Sequence, residues 1–125
     1  MSIRRLEDLE AWKESIYLCK GIYIVTSKFP LSEKYNIIKH LRESGRGVAG
    51  NIGEGFGRYF FRESMQFYGI ARGCLYEIKS DIYLSHHLSY INQELLDKFI
   101  GQINLVDQKL GGLLKSTKFQ LNKEK

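Results

Sequence analysis

The sequence predicts an all-α protein, an up-down antiparallel four-helix bundle. Four long stretches space apolar residues alternately three and four positions apart, which is the period of an amphipathic helix. Strand-like alternation is scarce, and the only proline is Pro30. Because the predicted helices are of similar length with short connections, each should pack antiparallel to the next. We expect one domain over residues 1–118 and a basic, flexible tail over residues 119–125.

The first helix is predicted from Leu6 to Lys28, and Phe29-Pro30-Leu31 ends it because proline cannot continue a helix. One stripe of this helix is apolar and should face the core. It consists of Leu9, Trp12, Ile16, Cys19, Tyr23 and Thr26.

The second helix is predicted from Glu33 to Gly53. Its stripe contains small residues midway, which permit a close approach of another helix. The stripe consists of Ile38, Leu41, Gly45, Val48 and Ile52.

The third helix is predicted from Arg62 to Tyr90, with Phe67, Cys74 and Leu88 beside its apolar stripe. The stripe consists of Tyr68, Ala71, Leu75, Ile78 and Ile82.

The fourth helix has the clearest pattern, and Asn92 is its predicted N-cap because asparagine accepts hydrogen bonds from the first turn. Its stripe keeps the helical spacing without a break. It consists of Leu96, Phe99, Ile103, Val106, Leu110 and Leu113.

The amino-acid composition favours some classes of protein and excludes others. A formal net charge of +5 favours acidic partners such as nucleic acid. Eight Tyr, seven Phe and one Trp supply apolar area for a core and a subunit interface, and they exclude a disordered chain. Cys19 and Cys74 lie far apart, which favours a reducing compartment. Because the sequence has no signal peptide and no apolar run near ~18 residues, we expect a cytoplasmic protein without a membrane partner.

The sequence predicts no enzyme, metal or cofactor. Gly45 to Gly50 reads G-x-G-x-x-G, but it falls within a predicted helix, which favours helix packing over nucleotide binding. His86 and His87 are adjacent and diverge on a helix, so they cannot chelate one ion. Cys19 and Cys74 fall on or beside apolar stripes, as buried thiols do.

Glu77 and Asp81 stand four residues apart on the predicted third helix, so their carboxylates share one side of it. Paired carboxylates can do acid-base chemistry if one pKa is raised. The simpler interpretation is a solvated face, or a salt bridge to a neighbouring helix or subunit.

The segment from Arg42 to Arg62 combines arginines with aromatic residues around one predicted turn. Arginine pairs with phosphate, and aromatic rings stack on exposed bases. Alternatively, the aromatics fill a subunit interface while the arginines bridge to acidic residues such as Glu54 and Glu63. The segment contains Arg42, Arg46, Arg58, Arg62, Phe56, Tyr59, Phe60 and Phe61.

Short motifs occur along nearly the whole chain in a characteristic order. They are LEAWK (9–13), FPLSEKY (29–35), LRES (41–44), NIGEG (51–55), IARGCLYE (70–77) and LSYI (88–91). On these motifs the chain resembles the bacterial four-helix-bundle family named for proteins encoded in 23S rRNA intervening sequences. The resemblance implies a homopentameric ring around a central channel, without catalytic activity.

The chain also departs from the family pattern around the second helix. Glu43 stands where the family has an arginine, which weakens phosphate binding on that face, and Cys74 replaces a common serine. Ser44, Gly47, Ala49 and Gly53 depart as well. The motif residues that remain, expected to serve in helix termination and interhelix hydrogen bonding, are Asn51, Glu54, Gly55 and Glu77.

Two functions follow as hypotheses. Relatives of the family include the accessory protein of diversity-generating retroelements, which works with a reverse transcriptase. By that resemblance, the protein is a homo-oligomer that binds RNA or DNA, with a reverse transcriptase as partner if it is retroelement-linked. The phosphate contacts would come from Arg42, Arg46, Arg58, Arg62, Arg72 and Lys79, with Tyr59 stacking on a base. Alternatively, the protein is a structural scaffold or interaction module without nucleic acid.

Overall fold

The structure is a computed structural model that describes residues 5–124, and it confirms the all-α four-helix bundle. The four helices are α1 (Glu10–Thr26), α2 (Ile37–Phe56), α3 (Phe61–His87) and α4 (Gln93–Lys123). Short 3-10 helices, Leu6–Asp8 and Leu31–Glu33, precede α1 and α2. Both α2 and α4 pack against α1 and against α3. Consequently α1 and α3 occupy opposite corners of the bundle.

The predicted stripes of α2 and α3 are buried throughout, and so is that of α4 up to Leu110, while Leu113 is partly buried. Asn92 caps α4 as predicted, because its Oδ1 accepts a hydrogen bond from the Leu95 N–H at 2.9 Å. None of the helices in the described part of the chain is long and apolar enough to cross a membrane.

The predicted stripe of α1 is wrong by about one position. Ile16 and Tyr23 are exposed, whereas the core side of α1 carries residues that the prediction omitted. Those are Ala11, Ser15, Leu18, Ile22 and Val25, together with the correctly predicted Thr26. The small Ala11 and the polar Ser15 disguise the true stripe. Ser15 is buried without cost because its hydroxyl donates to the Trp12 carbonyl at 2.7 Å.

The helix ends also differ from the predicted ones. α1 begins only at Glu10 because Leu9 is extended, and α2 begins at Ile37 after the non-helical Asn36 and continues to Phe56. α3 ends at His87, three residues early, because Ser89 adopts a left-handed φ of 63°. The N–H of Ser89 then bonds the His86 carbonyl and that of Tyr90 bonds the Ser85 carbonyl, which is a Schellman ending.

α4 continues to Lys123, beyond residue 118 where we expected the domain to end. Thr117 is its last buried residue, so the extra turns extend past the core as an exposed helix rather than as irregular chain. Residues 1–4 of the predicted domain and Lys125 of the predicted tail lie outside the described residues.

Glycines on α2 allow its neighbours to approach closely. A Cβ on Gly45 would lie 3.3 Å from the Cys19 Sγ of α1, and one on Gly47 would lie 2.9 Å from the Cys74 Sγ of α3. Gly45 and Gly47 are mid-helix and pack against neighbouring helices, as predicted, whereas a Cβ on Gly50 would meet nothing within 4 Å.

Candidate nucleic-acid and subunit interfaces

Arg42 holds α1 and α2 together. Its Nε donates to the Thr26 Oγ1 at 2.9 Å and its Nη2 to the Tyr23 carbonyl at 3.3 Å, at the C-terminal end of α1. The guanidinium also lies over the Tyr23 ring, 4.7 Å from its centroid. Arg42 precedes Phe56 by 14 residues of helix, about 21 Å of rise. The structure therefore does not bring Arg42 together with the arginines of the α2–α3 connection.

Arg58 lies in that connection and is largely neutralised. One Nη contacts the Glu54 carboxylate at 3.1 Å, and the other contacts the Glu63 carboxylate at 3.6 Å. Its guanidinium stacks 4.5 Å from the centroid of Phe67. This is the acidic bridging that the sequence left open as the alternative to phosphate.

Arg72 and Lys79 lie along the contact between α3 and α4. The Arg72 Nε contacts the Asp107 carboxylate at 3.2 Å, and the Tyr76 hydroxyl donates to the same carboxylate at 2.9 Å. Hydrogen bonding to Asp107 raises the pKa of Arg72 further above its ordinary value. The Lys79 Nζ donates to the Asn104 Oδ1 at 3.3 Å. Both cations are engaged in interhelix contacts, which sequence alone did not predict.

Arg46, Arg62 and Tyr59 remain exposed. Neither Arg46 nor Arg62 makes an ion pair with any residue in the range 5–124. Tyr59 is 92% exposed, and its ring meets that of Phe60 edge-on at 5.3 Å. Of the predicted nucleic-acid residues, these three have side chains available to a partner.

The four family-motif residues have different contacts. The Asn51 Nδ2 donates to the Gly47 carbonyl of its own helix at 2.7 Å, and Glu54 pairs with Arg58. A Cβ on Gly55 would lie 2.6 Å from the Tyr68 ring of α3. Glu77 alone makes the expected interhelix hydrogen bond, which it accepts from the Ser44 hydroxyl at 3.1 Å.

His40 completes a polar cluster that the sequence did not reveal. Its Nδ1 lies 2.5 Å from the Asp81 carboxylate, and its Nε2 lies 3.4 Å from the Glu77 carboxylate. The hydrogen bond to Asp81 raises the pKa of His40, and the charges of Asp81, Glu77 and Glu43 add to the effect. With His40 protonated, the Glu77/Asp81 pair forms a salt bridge to a neighbouring helix, which is one of the simpler interpretations of the sequence. The four-residue offset of His40 and Ser44 on α2 matches that of the two carboxylates.

Both cysteines are half-buried beside α2. Burial raises the pKa of Cys19 and of Cys74 above the ordinary thiol value, and Glu77 raises that of Cys74 further. The nearby Arg46 only partly offsets the effect of burial at Cys19. Both thiols pack against glycines of α2, and burial disfavours their thiolate form.

A sequence model of the 23S rRNA-intervening sequence protein family matches residues 7–112, which includes all of α1, α2 and α3. The chain belongs to this family. No curated protein matches it.

This 23S rRNA-intervening sequence protein exposes two apolar surfaces at opposite corners of its bundle. The α1 face consists of Ile16, Tyr17, Lys20 and Ile24, of which Tyr17 is 61% and Ile24 is 55% exposed. The α3 face consists of Gly69, Ile70 and Gly73, and the exposed Leu84 lies about 21 Å further along the helix, beyond the exposed Glu77. The exposed residues of the α1 face belong partly to the stripe that we expected in the core, since Ile16 is among them. The mistaken stripe thus marks an uncovered surface.

Proposed function

We propose that the protein is a non-catalytic, self-assembling bundle in which the α1 face of one copy packs against the α3 face of the next. The observation that carries the proposal is the presence of two unlike apolar faces at opposite corners of one small domain. Contiguous exposed apolar patches mark association sites. Because the faces differ, their pairing is heterologous, and heterologous contacts build rings when the rotation closes. The family resemblance favours five copies.

The glycines of the α3 face support close packing by a second copy. A Cβ on Gly69 or on Gly73 would meet nothing within 4 Å in the monomer. Glycine costs roughly 1 kcal/mol relative to alanine in a helix interior, and neither position has an internal packing reason for it. Gly50, Gly101, Gly111 and Gly112 are equally open, so it is the position of Gly69 and Gly73 beside the exposed Ile70 that favours a partner helix here.

The ionisable groups support a non-catalytic role. His40, Glu77 and Asp81 bind one another between α2 and α3, and Asp107 binds Arg72 and Tyr76 between α3 and α4. These contacts join helices. The thiols have raised pKa values, which opposes nucleophilic use.

Light scattering during size-exclusion chromatography tests the assembly. The wild-type protein should elute with a mass near five chains, while Gly73→Arg and Ile24→Glu should each elute as a smaller species with unchanged helical circular dichroism. Gly101→Arg is the matched control, because a Cβ at Gly101 on α4 also meets nothing within 4 Å and lies on neither face. A wild-type protein that is monomeric at all concentrations would refute the proposal.

Nucleic-acid association is a second candidate, favoured by the availability of Arg46, Arg62 and Tyr59. Fluorescence anisotropy with a labelled single-stranded RNA should show binding that weakens steeply with salt, because each phosphate contact releases counterions. The Arg46→Glu, Arg62→Glu double variant should lose this binding. Lys98→Glu, Lys118→Glu on α4 is the control with the same change of charge. Equal loss in both variants would show that only net charge matters, and no binding by the wild-type protein would favour the scaffold.

A further inference from the structure

A cavity of about 450 Å³ opens at the end of the bundle where α2 ends and α3 begins. Residues at or next to this end of each of the four helices line it. Phe56, Phe61 and Leu113 give it apolar walls. Polar side chains along it come from Ser64, Tyr68, Ser116, Thr117 and Gln120. A concave cavity that combines apolar walls with polar groups has the form of a small-molecule site.

Among the buried polar residues that line the cavity, Tyr68 is the one without a hydrogen-bond partner in residues 5–124, whereas Ser116 and Gln120 are exposed. Tyr68 is 3% exposed, and its hydroxyl makes no hydrogen bond with any of residues 5–124. Within residues 5–124, every fully enclosed side-chain oxygen or nitrogen has a hydrogen-bond partner. The Tyr68 hydroxyl has none, so it is not fully enclosed and reaches open space. Burial raises the pKa of Tyr68 to about 12, which keeps the hydroxyl protonated. It is therefore a hydrogen-bond donor whose acceptor is water or a ligand rather than a protein group.

Ser64 and Thr117 add acceptors. The Ser64 hydroxyl donates its proton to the Phe60 carbonyl at 3.3 Å, and the Thr117 hydroxyl donates to the Leu113 carbonyl at 2.8 Å. With their protons committed, both oxygens have only lone pairs to offer. The residues are 5% and 7% exposed, so an unmet lone pair there is poorly hydrated.

The charge of the cavity is balanced. Arg58 is the only charged residue among those that line it, and it is already paired with Glu54 and Glu63. An anionic ligand would have to compete with two carboxylates for that guanidinium. The cavity therefore suits an uncharged molecule.

We infer that this cavity binds an uncharged planar molecule whose edge carries an acceptor beside an N–H donor, the pattern of an amide or an amino-heterocycle. The acceptor receives the Tyr68 hydroxyl proton, and the N–H groups donate to the Ser64 and Thr117 oxygens. The planar body lies against Phe56 and Phe61. This chemistry is shared by a free metabolite and by an unpaired base of a nucleic acid. The site lies within one chain and does not depend on assembly.

Saturation-transfer NMR with benzamide and adenosine as probes tests the inference. Both carry the edge, and at least one should bind the wild-type protein at probe concentrations up to about 10 mM. Purine riboside, which lacks the amino group of adenosine, should bind more weakly than adenosine. Absence of transfer to both benzamide and adenosine would overturn the proposal.

Tyr68→Phe separates a binding role from a structural one. Loss of the donor should weaken probe binding by about tenfold, while the Tm stays the same or rises, because an unpartnered hydroxyl is removed. Tyr83→Phe, at an exposed position near the other end of α3, is the matched control and should bind as the wild-type protein does. Thr117→Met, which fills the cavity, should abolish binding. Unchanged binding in both Tyr68→Phe and Thr117→Met would place the probes elsewhere and contradict the inference.

A competition experiment decides whether the ligand is a free small molecule or an unpaired base. A single-stranded oligoadenylate that competes with adenosine in the wild-type protein would identify the ligand as an unpaired base. Adenosine binding without oligoadenylate competition would identify a free small molecule. Because Arg46→Glu, Arg62→Glu leaves the cavity intact, it should keep adenosine binding even where RNA binding is lost. An absence of ligand binding in the cavity can thus be told apart from an absence of RNA binding at the arginines.

Discussion

Two pairs of glycines in the same two helices have opposite surroundings. Gly47 and Gly55 of α2 face α3 so closely that a Cβ at either position would lie under 3 Å from a side-chain atom. Gly69 and Gly73 of α3 face away from the bundle, and a Cβ there would touch nothing. The inner pair is explained by contacts within the chain. The outer pair leaves room for another backbone to approach, and because the exposed Ile70 lies beside it we assign this surface to a contact between chains.

The largest expected effect is at Gly55. Gly55→Ala would place a Cβ 2.6 Å from the Tyr68 ring and 3.0 Å from the Ser64 carbonyl oxygen, and backbone cannot yield cheaply. We expect the free energy of unfolding to fall by about 2–3 kcal/mol, measured by urea denaturation.

The outer glycines should respond with the opposite sign. Gly69→Ala, measured in the Ile24→Glu background to remove association, should raise the free energy of unfolding by about 0.5–1 kcal/mol through helix propensity. If Gly69→Ala and Gly55→Ala were equally destabilising, the contrast between the two glycine pairs would be lost.

Gly47 should show an intermediate effect because its neighbour is a movable side chain. A Cβ at this position would meet the Cys74 Sγ at 2.9 Å, so we expect Gly47→Ala to cost about 1 kcal/mol. In the Cys74→Ala background the sulfur is gone and the cost should vanish. A double-mutant cycle by urea denaturation measures this coupling, and a coupling energy of zero would argue against the contact.

The smallest expected effect is the pH dependence of stability that His40 confers at the α2–α3 contact. The pKa of His40 is raised in the folded state, so protonated His40 stabilises the fold below the ordinary histidine value, and the stabilisation disappears as pH rises through the raised value. Because His40 is about half exposed, the change should stay below about 1 kcal/mol. Thermal unfolding from pH 6 upward should therefore show a decline in the wild-type protein that is absent in His40→Gln. A parallel decline in both would assign it to other groups.

The sequence predicted the fold and most of its core because α2, α3 and α4 each bury one continuous apolar stripe. It failed on α1, where Ala11 and Ser15 lie inside and Ile16 and Ile24 lie outside. Hydrophobic periodicity reports which residues are apolar, and it cannot tell a core from a surface that another chain covers.

The roles of the charged residues were harder to predict. Arg42 is hydrogen-bonded to Thr26, Arg72 to Asp107 and His40 to Asp81. Each partner lies on another helix, 16 to 41 residues away in the sequence. Which of these side chains meet depends on how each helix is rotated about its axis relative to its neighbours. For this reason the predicted cluster of four arginines separates in the structure into Arg42 and Arg58, which have partners, and Arg46 and Arg62, which remain available.

The central claim is that the α1 face of one copy meets the α3 face of another. It is tested most directly by mixing Ile24→Glu, whose α3 face is intact, with Gly73→Arg, whose α1 face is intact. Each variant retains the face that the other lacks, so light scattering should show one-to-one dimers that grow no further, although neither variant assembles alone. If the mixture stays monomeric, or if either variant alone forms the wild-type oligomer, the pairing of these two faces is contradicted.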